Sequence, residues 1–154
     1  MKLDVLVLGK TNEAYLAAGI DDFHKRLQRY CRVDIKIVKE KRGKLSDQVR
    51  IAEEGSRLLA QVAPNSFVVA LDRSGYQVSS DKLAAYMGQW RDSGKQLVTF
   101  LIGGPLGLSS EVVQSADLVL SLSKMTFTHE MARLLLLEQL YRGFSILAGT
   151  KYHK

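Results

Sequence analysis

Five short apolar runs, each followed by a turn or charged stretch, constrain this chain more than any other feature. They are KLDVLVLG (residues 2–9), VDIKIV (33–38), SFVVALD (66–72), QLVTFLIGG (96–104) and DLVLSL (117–122), all rich in β-forming residues. Helical patterns lie between them. In SSDKLAAYMGQW, Leu83, Met87 and Trp90 recur at i, i+4 and i+7 behind serines able to cap a helix. Strands of nearly continuous apolar character that alternate with helices predict a mostly parallel sheet covered on both faces. The expected fold is therefore a three-layer α/β sandwich with five to six strands. Its 154 residues, 46% hydrophobic and 25% charged, suit one domain over 1–154, with no repeat or low-complexity tract.

In open α/β sheets, ligands sit beyond the carboxyl ends of the strands, so the loops that follow strands carry the functional reading. Three are unusual: LDRSG (71–75), GGPLG (103–107) and SLSKMTFTH (121–129). The second has Pro105 and Leu108 where a dinucleotide fingerprint needs glycine, and no Gly-Lys-Ser/Thr follows, which excludes a triphosphate loop. What Gly103 and Gly104 offer is close approach of a ligand to main chain. The competing reading is a tight strand-to-helix turn with Ser109 as N-cap. The third loop supplies hydroxyls, amides, apolar side chains and Lys124, which suits a neutral, partly apolar ligand such as an adenine ring. Pairing of Ser121 or Ser123 with His129 is a weaker, hydrolase-like alternative, since no carboxylate is evidently placed to orient the imidazole.

Charge is unevenly spread. The net charge is +6, and residues 25–44 (KRLQRYCRVDIKIVKEKRGK) hold nine basic residues against two acidic ones, so the rest of the chain is slightly negative. Such a segment predicts contact with a polyanion through phosphates and counterion release. No apolar run approaches the roughly 20 residues that span a bilayer, and the opening MKLDVLVLGK is a poor signal peptide, so the expectation is a cytoplasmic protein with no membrane contact. With one cysteine, Cys31, and no zinc-ligand spacing among His24, His129 and His153, neither an internal disulfide nor a metal site is expected.

The last helical pattern, HEMARLLLLEQLYRGFSIL (129–147), is apolar nearly all round and predicts burial on more than one face. Glu138 can pair with Arg142 one turn on. Arg133 and Arg142 on a buried helix must find partners, which an anionic ligand or a second subunit would provide.

LIGGPLGL, LSLSKMTFTHEMARLLLLEQLYRGFSI and the terminal YHK together resemble the SPOUT-class ribosomal RNA large subunit methyltransferase H family over essentially the whole chain. LDRSG is similar to that family's Leu-Asp-x-x-Gly segment. The resemblance implies methyl transfer from S-adenosyl-L-methionine to N3 of a pseudouridine in 23S ribosomal RNA, on the large subunit or the 70S particle. It also implies a homodimer and a C-terminal trefoil knot, which general topology rules would not suggest. By motif, the cofactor would touch Leu71, Gly103, Leu122, Ser123, Lys124, Met125, Thr126 and Phe127. Arg133, Arg142, His153 and Lys154 are the candidates to stabilise the ionised target base, with Tyr152 stacking on it and the terminal residues acting on the partner's site. Thr128 stands where the family has proline, and offers an N-cap to the last helix instead. A noncatalytic RNA-binding or ribosome-associated module is the alternative.

Overall fold

The computed structural model describes residues 1–153, with the side chain of His153 excepted; Lys154 lies outside the described residues. The elements run β1 (Lys2–Leu8), α1 (Ala14–Leu27), β2 (Val33–Val38), α2 (Asp47–Leu59), β3 (Phe67–Gln77), α3 (Ser80–Asp92), β4 (Leu97–Ile102), α4 (Ser110–Ser115), β5 (Leu118–Ser121) and α5 (His129–Leu147), then a 3₁₀ turn at Lys151–His153. Among the described residues the strands number five, in the order β2-β1-β4-β3-β5, and every pairing is parallel.

Side chains alternate between the faces of a strand, so each strand feeds two cores. Leu3, Val5 and Val7 of β1 pack with Leu83, Met87 and Trp90 of α3 and with Leu136, Leu137, Leu140 and Phe144 of α5. Leu6 and Leu8 point the other way, into a smaller core with Leu58 of α2 and Val112 of α4. This double burial explains the near-continuous apolar runs and gives the three layers expected from sequence. Gly143 lets α5 close on α3, where a Cβ would stand 2.6 Å from Met87 Sδ.

Helix starts follow local chemistry. Ser46, Ser79, Ser109 and Thr128 each accept a hydrogen bond from the backbone N–H three residues on, at Val49, Lys82, Val112 and Met131. The start of α1 has no side-chain cap of its own. Instead the buried Glu130 reaches from α5 and accepts from Asn12 N and Glu13 N, both at 3.0 Å. These two bonds hold the Glu130 carboxyl below its usual range.

The third strand departs from the sequence reading. The sequence reads LDRSG as a loop, yet β3 continues to Gln77, with a break in register between Leu71 and Tyr76. Gly75 permits it: a Cβ there would lie 2.6–2.7 Å from the backbone of Leu120 and Val119 in β5. Cys31, half-buried between α1 and β2, has its thiol pushed up to about 11 by burial. No helix of the described residues is long and apolar enough to cross a membrane.

Candidate functional site

Because all strands run one way, their carboxyl ends share one edge of the sheet. There a cleft of about 1140 Å³ opens between the bulge in β3, the glycine loop after β4 and the loop after β5. Leu71, Gly103, Leu122, Ser123, Met125, Thr126 and Phe127 line it, which brings together seven of the eight residues expected at the cofactor; Lys124 is exposed and does not line it. Its lining mixes apolar side chains with main chain and hydroxyls, the chemistry that grips a heteroaromatic ring and a ribose, and adds the charged Asp72 and Arg73.

The glycine loop is built differently from the expectation. Gly107 N donates to Gly104 O at 3.0 Å, which folds the loop back on itself. A Cβ on Gly103 would lie 2.5 Å from Gly107 C, so it is the loop's own backbone, rather than a ligand, that requires glycine at 103. Gly104 has room for a methyl group, with its nearest neighbours at 3.7–3.8 Å, and Gly107 adopts φ +84°. Ser109 caps α4, so the strand-to-helix turn and the cleft wall are one structure.

The loop after β5 is tied by its own serines. Ser121 Oγ donates to Ser123 O at 2.9 Å, and Met125 N donates to Ser123 Oγ at 3.0 Å. Neither hydroxyl is paired with His129, and the hydrolase-like alternative fails on geometry. The loop presents Met125, 75% exposed, and Phe127 at the mouth of the cleft. His129 sits at the cleft and half-buried; burial, then the nearby Arg133 charge, lowers its pKa.

The remaining expected residues lie elsewhere. Arg142 meets Glu138 through Nη2 (2.5 Å) and Nε (3.1 Å), as the spacing predicted. Tyr152 donates to the same carboxylate at 3.3 Å, packs edge-on against Tyr141 at 4.7 Å and lies under the Arg142 guanidinium at 4.9 Å. Burial and then Glu138 raise the Tyr152 pKa. From His129 to Arg142 the helix rises about 20 Å. Within one chain this cluster and the cleft are therefore far apart. The side chain of His153, and Lys154 entirely, lie outside the described residues.

Arg133 is only 3% exposed and faces away from the cleft. Its partners are neutral oxygens: Nη1 donates to Thr11 Oγ1 at 3.0 Å and Nη2 donates to Leu8 O, while Nε has no partner. Neither an anionic ligand nor a second subunit is needed to explain these two bonds. Together with Glu130, Arg133 pins residues 8–13, a task that sequence reasoning missed. An acid in the first turn of a helix ordinarily reads as a response to the helix dipole.

The basic segment is partly neutralised. Lys25, Arg26, Arg32, Lys36 and Lys41 pair with Asp21, Asp22, Asp34, Asp4 and Glu53 at 2.6–3.3 Å. Lys39, Arg42 and Lys44, on the loop after β2, form no ion pair among the described residues. That loop is held to α2 by Glu54, which accepts from Lys41 N at 3.0 Å, and by Arg57, which donates to Lys39 O at 3.1 Å. Its positive charge stands on the same sheet edge as the cleft.

Comparison with known proteins adds to this geometry. Residues 1–153 match the family described as predicted SPOUT methyltransferase. Two relatives named ribosomal RNA large subunit methyltransferase H are similar over nearly their whole length: that of Desulfotalea psychrophila at 50% identity, with 100% of each chain covered, and that of Syntrophotalea carbinolica at 47%, with 99% of each covered. Among solved structures, TrmJ from Z. mobilis ZM4 matches with a TM-score of 0.55 at 16% identity, covering 93% of this chain and 70% of the other, a likeness of fold alone. An all-parallel sheet with a cleft at its carboxyl edge, a match along 153 residues and relatives at half identity lead to one conclusion: the chain belongs to the SPOUT methyltransferase family, beside the ribosomal RNA large subunit methyltransferase H proteins.

Proposed function

We propose that the chain, acting as a single catalytic domain over residues 1–154, transfers a methyl group from S-adenosyl-L-methionine to N3 of a pseudouridine in 23S ribosomal RNA. The observation that carries this reading is the convergence of three strand-following loops on one cleft of about 1140 Å³, in a chain whose relatives bear that enzyme's name. Bound in the cleft, S-adenosyl-L-methionine would supply a methyl group on a sulfonium sulfur. The side chains of Leu71, Leu122, Met125 and Phe127 would exclude water, and Ser123 and Thr126 would offer hydroxyls for polar contacts. Position and electrostatics then account for the rate, with no covalent nucleophile required.

The imide nitrogen must lose its proton, and the resulting charge spreads to the flanking carbonyl oxygens. Arg142, oriented by Glu138, is suited to face that charge, with Tyr152 and the terminal His153 and Lys154 beside it. The roughly 20 Å of helix between this cluster and the cleft argues that the two meet across a homodimer, one copy's tail on the other's cofactor. The unpaired cations of the 39–44 loop would hold ribosomal RNA of the large subunit or the 70S particle in the cytoplasm. The C-terminal trefoil knot belongs to the same proposal.

Calorimetry should find one S-adenosyl-L-methionine per chain. A methylation assay on ribosomal particles, followed by mass mapping, should place one methyl group on a 23S pseudouridine. Deleting Tyr152–Lys154 should abolish transfer but leave dimer and cofactor affinity intact. Failure of the intact protein to bind the cofactor would overturn the reading.

A further inference from the structure

A second cavity, of about 350 Å³, lies on the opposite flank of the sheet, between β1, β2, α1 and α5. Its size falls within the range of ligand pockets. Val5, Val7, Ile35 and Ile37 form its floor, with Ala17 and Ile20 of α1 and Leu137 of α5 as walls. These walls belong to regular elements, so the cavity is preformed. Polar groups gather where β1 ends: Lys10, Thr11 and Arg133. At the α1 wall, Asp21 is neutralised by Lys25 at 2.6 Å, and His24 Nε2 is bonded to Val33 O at 2.7 Å.

The electrostatics of that carboxyl-edge end favour a particular occupant. The Arg133 guanidinium is buried, bonded only to neutral oxygens and short of a partner at Nε. Glu130 and Glu40 act on it through space but bond to none of its N–H groups, and a buried cation that no carboxylate bonds favours an electron-rich oxygen beside it. Beyond Ile37, 55% exposed, the chain passes directly into the loop bearing Lys39, Arg42 and Lys44. The matching ligand has a flat apolar body, a carbonyl edge and an anionic tether that continues over the basic loop. We infer that this cavity receives an unstacked base of the RNA strand, a nucleotide neighbouring the one methylated, while Lys10 and the 39–44 loop take its phosphates. Recognition of RNA through splayed-out bases held against apolar side chains is how single-stranded regions are read. The inference rests on the proposed action on ribosomal RNA and adds a second point of grip, which fixes the register of the strand relative to the cleft.

Two variants and a crosslink test it. Ala17→Phe fills the cavity from the α1 wall, and Ile37→Trp narrows it from a half-exposed strand position that folding tolerates. Each should raise KM for ribosomal particles about tenfold or more, with kcat, cofactor Kd and melting temperature near wild type. A benzophenone amino acid at position 17, irradiated with ribosomal particles, should crosslink to a 23S nucleotide within a few residues of the methylated one. Wild-type KM in both variants, or a crosslink to a second copy of the chain or a ribosomal protein in place of RNA, would overturn the cavity assignment. If the unmodified protein methylates nothing in ribosomal particles, it is the functional proposal that fails instead.

Discussion

A methyl group on Gly103 has nowhere to go, because Gly107 already fills the space, whereas one on Gly104 meets only ordinary contacts. We expect Gly103→Ala to weaken S-adenosyl-L-methionine binding by more than about tenfold through collapse of the loop, and Gly104→Ala to stay within about threefold, both read by calorimetry. Equal losses would mean that the ligand itself presses on Gly104. Glu130 gives a second test at this scale. Its carboxylate is ionised more readily in the folded chain than in the unfolded one, because Asn12 N–H and then Glu13 N–H donate to it. The stability it contributes is complete above the usual value of 4.5 and is lost as pH falls through the lowered folded value. Glu130→Gln should cost about 2 kcal/mol at pH 7 in urea unfolding, and the gap from wild type should close on acidification toward about pH 3. The sequence made the glycines legible as a turn. It could not reveal that the turn closes on itself, since Gly103 and Gly107 meet only when Gly104 and Gly107 bond across it.

At the level of elements, α5 joins the cleft at its first turn to the Glu138–Arg142–Tyr152 cluster at its far end, and its start depends on Thr128. Thr128→Ala should cost about 1 kcal/mol in urea unfolding, the usual value of a lost N-cap. Thr128→Pro removes the same bond, but the position already has φ −61° and ψ 151°, which proline adopts without strain. The lower entropy of the unfolded chain returns roughly 0.4–1 kcal/mol, so this variant should be nearly neutral. A proline variant as unstable as the alanine one would show that the Thr128 backbone N–H is needed. Caps and helix faces were readable because a Ser or Thr bonds to backbone three residues away, within one stretch of sequence. The continuation of β3 was not, because residues 72–75 look like a turn and only the neighbouring β5, about 45 residues on, holds them in the sheet.

For the whole molecule, parallel strands gather the strand-following loops on one edge, which is why the loops that line the cleft could be named from sequence: strand ends mark them. Where Arg133 finds its partners was not legible, because periodicity says that a helix residue is buried without saying against which neighbour, here Leu8 and Thr11. The basic segment read as one patch, yet five of its cations are spent on carboxylates, some as distant in sequence as Asp4. Reversing Lys39, Arg42 and Lys44 to Glu should weaken ribosome binding and reduce its salt slope by about one unit per lost phosphate contact, leaving cofactor affinity alone. The matching triple change at the paired Lys25, Arg26 and Lys36 should alter the slope less. Mixed dimers of a tail-deleted chain with a Gly103→Ala chain should regain part of the activity that each lacks alone, if one tail serves the other's cleft. The opposite rim of the sheet, where the strands begin, carries none of this machinery. Its 60–66 turn is exposed at Pro64 and Asn65, and the only native thiol is held protonated by burial, with a pKa of about 11. A cysteine introduced at Asn65 would thus react first with a maleimide at neutral pH, giving a one-point handle for a fluorophore or a surface tether with Cys31 left in place and the working edge facing solution.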